Sequence, residues 1–184
     1  MDFVGDLMNE PWLKAYMFPA NNKMTLTVKE VRRMEVSFDG KQQELHTVMS
    51  FQEISPELTL SKVNIIPIIK MLGNDVRAWQ GKRITFYTTN TVMPHPMRKD
   101  EPCIRVYGSP DITHEMDCEW TPPRRRKLVQ KLRPTGYNAA ARAVEQAKPE
   151  QFEAIRKRID EMLKDEELTG EEHESLVAQM AANS

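Results

Sequence analysis

The sequence predicts an α+β fold: a small antiparallel β-barrel or an open sheet with one inserted helix, followed by a C-terminal helical hairpin. Three observations carry this. Residues 24–51 alternate apolar and polar positions at the two-residue period of a strand. The segments KRITFYTTN and CIRVYGSPD repeat that alternation. From residue 138 onward the apolar spacing is that of a helix.

The first element is an arm, residues 1–23, with Trp12, Tyr16 and Phe18 near two prolines and a turn-like Asn21-Asn22 at its end. Met24, Leu26 and Val28 then alternate with Thr25, Thr27 and Lys29; the chain turns at Asp39-Gly40 and returns through QELHTVMSFQE, the pattern of a β-hairpin. After Ser55-Pro56, LTLSKVNIIPIIKMLG spaces Leu60, Val63, Ile66, Ile69 and Leu72 near the helical period and closes at Gly73. Pro67 inside that run predicts a kinked or short helix. Gly81 opens a third strand, and a fourth follows the proline-punctuated VMPHPMRKDEP. Two strands, a helix and two strands suit a barrel of the oligonucleotide-binding (OB-like) type, or an open sheet. KLVQKLR reads as a fifth strand or an extended linker. Beyond it come AAARAVEQA, then Pro149 at a first helical turn, then QFEAIRKRIDEMLKDEEL, and a last helix capped by Thr169 with Glu172 three residues on. The predicted organisation is thus an arm (1–23), a β-rich domain (24–120), a basic strand or linker (121–137) and an acidic helical appendage (138–184).

Length and composition fit this plan. The chain has 184 residues, 40% of them hydrophobic, enough for one compact core with an appendage. No run of about 18 apolar residues occurs, and MDFVGDLMNEPW lacks the basic and apolar regions of a signal peptide, so a cytoplasmic protein with no membrane partner is expected. Two cysteines, Cys103 and Cys118, are too few for a disulfide framework.

The net charge of −1 conceals segregation. Residues 1–120 hold 14 Lys and Arg against 16 Asp and Glu, a net of −2; residues 121–148 hold 8 against 1, or +7; residues 149–184 hold 4 against 10, or −6. A concentrated basic segment points to a local anionic partner.

Strand alternation says which residues meet that partner. In KRITFYT, Ile84 and Phe86 point one way and Arg83 and Tyr87 the other; in CIRVY, Ile104 and Val106 oppose Arg105 and Tyr107. If the two strands are neighbours, Arg83, Tyr87, Arg105 and Tyr107 form one cationic and aromatic patch. Single-stranded nucleic acid needs both properties: cations for phosphates and rings for unstacked bases. Arg32, Arg33, Trp79 and Lys82 extend the candidate set, and Arg124, Arg125, Arg126, Lys127, Lys131 and Arg133 are placed to clamp a backbone. The competing reading is an ordinary exposed sheet face with a solvated charge cluster.

Signs of catalysis are sparse. Phosphate-loop, dinucleotide-turn, nucleophile-elbow and His-Glu-x-x-His patterns are missing, and seven glycines do not make a glycine-rich cradle. His95, Cys103, His114 and Cys118 match no zinc spacing. Asp111, Glu115, Asp117 and Glu119 form an acidic run that would suit Mg²⁺ in a nuclease but reads equally as a solvated edge. A non-catalytic protein without metal or cofactor is expected, with a Mg²⁺-dependent nuclease as the lesser alternative. A third reading is a protein-interaction module: the stripe Phe152, Ile155, Ile159 and Leu163 docks a replication or recombination protein or a second copy, or else closes the helical hairpin on Leu168, Leu176 and Met180.

The strings LTVKEVRR, LSKVN, LGND, WQGKRITFYTTN and IRVYGSPD, over residues 24–112, together resemble small bacteriophage and prophage proteins encoded among replication and recombination genes. The helical end, with its Leu168-Thr169-Gly170-Glu171-Glu172 turn, resembles tails of phage recombination-associated proteins. The resemblance implies a setting in DNA metabolism within a bacterial host cell and supplies no catalytic residues.

Overall fold

A computed structural model describes residues 9–37, 43–90, 102–121, 127–164 and 167–182. Seven strands, β1 (Lys23–Val36), β2 (Glu44–Phe51), β3 (Leu58–Leu60), β4 (Arg83–Asn90), β5 (Pro102–Ser109), β6 (Met116–Trp120) and β7 (Leu128–Pro134), form one mixed sheet in the order β3-β2-β1-β4-β5-β7-β6. Every pairing is antiparallel except β5 with β7. The architecture is α+β, and the sheet is open. The expected barrel does not close, because β5 passes its outer edge to β7 and not to β3. Before that junction two side chains occupy the edge: Asn64 Nδ2 donates to the Ile104 carbonyl at 3.2 Å, and Gln130 Nε2 donates to the Val106 carbonyl. Edge carbonyls satisfied by amide side chains leave nothing for β3 to pair with.

The 14-residue β1 organises the sheet. Its first part pairs with β4, from Lys23 opposite Tyr87 to Thr27 opposite Arg83; its second part pairs with β2, from Val28 opposite Phe51 to Val36 opposite Glu44. A register irregularity between Val28 and Glu30 lets one strand serve both partners, since a bulge bends and twists the strand that carries it. Helix α1 (Lys62–Leu72) runs through Pro67, ends at Gly73 and packs across β5 and β6. Under it lie Leu26, Val28, Ile84, Phe86, Ile104, Val106 and Leu132, all buried, with Phe51 edge-on to Phe86 at 5.7 Å. Two strands were not foreseen as such: three-residue β3, and β6 within the acidic run. KLVQKLR takes the strand option, as β7.

The C-terminal appendage is a three-helix cluster and not a hairpin: α2 (Gly136–Glu145), α3 (Phe152–Lys164) and α4 (Gly170–Ala182). AAARAVEQA closes as a helix of its own because Ala140 and Val144 face Ile159, Met162, Leu176 and Met180 in a second core. The capping box forms reciprocally: the Glu172 amide donates to Thr169 Oγ1 at 3.2 Å, and the Thr169 amide donates to Glu172 Oε2 at 2.9 Å. No helix among the described residues is long and apolar enough to cross a membrane.

Candidate nucleic-acid interface

One face of the sheet is the core; alternation makes the other polar. On it stand Lys23, Thr25 and Thr27 of β1, Arg83, Thr85, Tyr87 and Thr89 of β4, and Cys103 and Arg105 of β5. Lys23 lies opposite Tyr87, and Tyr87 opposite Arg105. A cation, a ring and a second cation thus form one row across three strands, about 10 Å wide at the usual strand spacing.

A bulge adds the second ring. Between Thr85 and Phe86 the register against β5 slips, so that Thr85 lies opposite Gly108 and Phe86 opposite Val106, with Tyr107 the extra residue. Tyr107 thereby meets Tyr87 edge to face, with ring centres 5.8 Å apart at 75°. The next residue has to be glycine: β7 passes so close that a Cβ on Gly108 would stand 1.8 Å from the Arg133 carbonyl oxygen. That approach also brings Arg133 to the patch, its guanidinium carbon 6.0 Å from the Tyr107 ring centre, while Lys23 Nζ lies 4.2 Å from the same centre. Burial pushes the Tyr107 phenol up, but hydrogen bonds from Arg133 and Lys23 and their charges outweigh it, leaving the group below the ordinary tyrosine value.

Lys23 and Arg105 enter no ion pair among the described residues; Arg105 Nη1 donates to the Ile104 carbonyl at 3.1 Å. Among the described residues Arg133 pairs with one half-exposed carboxylate, Glu115, at 4.0 Å. Around two tyrosines, then, three cations are held with one weak counter-charge between them.

The other candidates are placed differently. Arg83 shares the face, but its backbone amide and its guanidinium both bind Asp111, at 2.8 Å and 3.2 Å, and Glu172 approaches its other nitrogen at 3.8 Å. Arg32 pairs with Glu57 at 2.8 Å, whereas Arg33, one residue on, projects to the opposite side of β1 and is exposed. Trp79 must be removed from the binding set. It is 2% exposed in the main core, its indole nitrogen donating to the Gly73 carbonyl at 2.9 Å, so no base can reach its ring. Lys82 is exposed beside Arg83. Lys127 pairs with Glu119, and Lys131 stands opposite Asp117 across the β6–β7 ladder. Arg124, Arg125 and Arg126 lie outside the described residues.

The acidic run acquires an explanation. Asp111 faces Arg83, Glu115 faces Arg133, Asp117 is opposite Lys131 and Glu119 pairs with Lys127. The four carboxylates are spread along neighbouring cations rather than gathered on one point. No group of three or more His, Cys, Asp or Glu is placed to hold a metal among the described residues, which exclude His95; Cys103 donates to the Thr89 carbonyl at 3.2 Å, and Cys118 is buried. In the appendage, Ile159 is 1% exposed inside the helical core, with Phe152 and Ile155 packed partly buried against it and Leu163 half-buried. The stripe proposed for a partner is largely consumed in closing the helices on one another.

Lys23 is the cation of this face that strand-by-strand reading leaves out. Its signal is present in the Lys23, Thr25, Thr27 alternation, but its relevance depends on β1 lying beside β4, a pairing some 60 residues apart in sequence. A hydroxyl relay then ties the face to the appendage: Thr25 Oγ1 to Thr85 Oγ1 at 2.8 Å, and Thr85 Oγ1 to Thr135 Oγ1, at the start of α2, at 2.7 Å. No protein-family model, curated protein or solved structure matches this chain.

Proposed function

We propose that the protein is a non-catalytic single-stranded DNA-binding accessory factor of bacteriophage replication or recombination, acting in the cytoplasm of a bacterial host. The observation that carries this reading is the row Lys23, Tyr87 and Arg105 with Tyr107 and Arg133 beside it, a wet sheet face where cations meet rings and carboxylates are scarce. Phosphates take the cations and an unstacked base takes a ring, a combination that duplex DNA, with its bases stacked inside, does not exploit. The dispersal of the four acidic side chains among cations favours a charge-balancing role for them over a nuclease centre.

The test is fluorescence anisotropy of a labelled single-stranded oligonucleotide, with duplex and RNA of the same sequence as comparisons, over a salt series. Single strands release about 0.7 counterion per neutralised phosphate, so the three cations around the tyrosines give a slope of log affinity against log salt near −2. Lack of single-strand binding at low salt, or equal affinity for duplex, overturns the proposal.

A further inference from the structure

We infer that the two tyrosines divide the work of the face: Tyr107 is a positioning residue that holds Lys23 and Arg133 together as a seat for one backbone phosphate, and Tyr87 supplies the ring on which the adjoining base stacks. This rests on the single-strand reading above and deepens it.

The geometry around the rings is unequal. Tyr107 has Lys23 Nζ over its ring at 4.2 Å and the Arg133 guanidinium carbon at 6.0 Å from the same ring centre. Two cations held at one ring concentrate positive charge there, because the electron-rich face attracts both. A monoanionic backbone phosphate is the ligand that an ammonium and a guanidinium so placed fit. The same arrangement crowds the approach of a base to Tyr107. Tyr87, flanked in its row by Lys23 and Arg105, has no cation over its own ring among the described residues and keeps a surface for stacking. Arg105 is then placed to meet a second phosphate on the far side of that base.

Two matched probes separate the roles: a single-stranded oligothymidylate, and the same strand made of abasic residues, which keeps every phosphate and loses every base. Tyr87→Leu is expected to lower affinity for the oligothymidylate about tenfold and to leave the abasic strand within about twofold. Tyr107→Leu is expected to lower both by a similar factor, about fivefold, and to make the salt slope shallower, because displaced cations neutralise less phosphate. Tyr107→Phe, which keeps the ring and the packing, is expected to lie between Tyr107→Leu and the unmodified chain on both strands. A measurement without DNA checks the seat itself: the ultraviolet titration step that Tyr107→Phe removes is expected to move to higher pH in Lys23→Gln and in Arg133→Gln. If Tyr107→Leu weakens only the oligothymidylate, Tyr107 is a stacking ring; the division of roles falls and the single-strand reading stands. If neither cation substitution moves the phenol titration, the seat falls. If the unmodified chain binds neither strand, both readings fall.

Discussion

Two basic regions of this molecule meet opposite fates. In the β6–β7 wing, β7 lies within the most cationic stretch of the chain, yet Lys127 pairs with Glu119 of β6, and Lys131 stands opposite Asp117 of β6. The β1–β4–β5 face has far lower charge density in sequence, yet Lys23 and Arg105 enter no ion pair among the described residues and gather around tyrosine rings. Charge density in sequence therefore does not report charge available to a ligand. Availability depends on what the neighbouring strand carries, and β6 carries acids where β4 carries tyrosine and threonine.

The seam between the two regions is the place to break the comparison hardest. Gly108 lies opposite Arg133 where β7 joins β5, and a methyl group there would collide with backbone, which cannot swing aside as a side chain can. Gly108→Ala is expected to cost about 3 kcal/mol or more, read by urea denaturation, and to reduce the binding contribution of Arg133 in whatever fraction stays folded. Gly73→Ala is a poor control because of its positive φ, but Gly170→Ala, with open space around the missing Cβ, is expected to leave stability within about 1 kcal/mol.

Next comes the contrast in binding. Tyr87→Leu should lose a stacked base, about 1 to 3 kcal/mol of affinity for single-stranded DNA. Lys127→Gln, in the wing, removes a cation already matched by Glu119 and should change affinity by less than about twofold. Equal losses from the two substitutions, measured by anisotropy, would show that the wing and the face contribute alike and would dissolve the distinction.

Much of this was legible from the residues, and the rest had identifiable reasons to be hidden. Period-two alternation placed Arg83 with Tyr87, and Ile84 with Phe86, because a strand has only two sides. The capping box at Thr169 and Glu172 was readable because both partners are local. What alternation cannot give is the neighbour. Arg83 looked like the leading cation, but Asp111 and Glu172 reach it from 28 and 89 positions along the chain. Trp79 stood in the candidate binding set beside a basic pair; it is instead buried in the main core, where its N–H finds the Gly73 carbonyl. The choice between a barrel and an open sheet, both expected from the sequence, was undecided for the same reason, since it depends on β5 meeting β7 at its outer edge.

The wing can also be converted toward the behaviour of the face. Glu119→Gln and Asp117→Asn each remove the acid that a wing cation faces while preserving shape. Each is expected to strengthen single-strand binding modestly, less than about tenfold at low salt, and to steepen the salt slope by up to about 0.7 as one more cation becomes available to phosphate. An unchanged slope in both variants would mean that the strand does not reach Lys127 or Lys131, confining the interface to the patch of Tyr87, Tyr107 and their three cations.

The smallest effect belongs to the helical cluster, where an ion pair is again the measure of a matched charge. His173 Nε2 lies 2.7 Å from Asp160 Oδ1, joining α4 to α3, and Arg156 stands 3.7 Å from the same oxygen. The hydrogen bond with His173 and the charge of Arg156 hold the Asp160 carboxyl below its usual value despite some desolvation. A carboxyl depressed in the folded chain contributes stability above its unfolded value, about 3.9, and that contribution is lost as pH falls through the lower folded value. Urea denaturation of the intact chain and of Asp160→Asn should therefore show a small gap at pH 5 that closes as the pH falls through the carboxyl's lowered folded value. Single-strand binding at neutral pH should be the same in both, because this pair joins α3 to α4 and lies outside the row of Lys23, Tyr87 and Arg105. A loss of affinity in Asp160→Asn without a loss of stability would tie the acidic helices to the DNA path, and would move the boundary of the binding face from the sheet into the appendage.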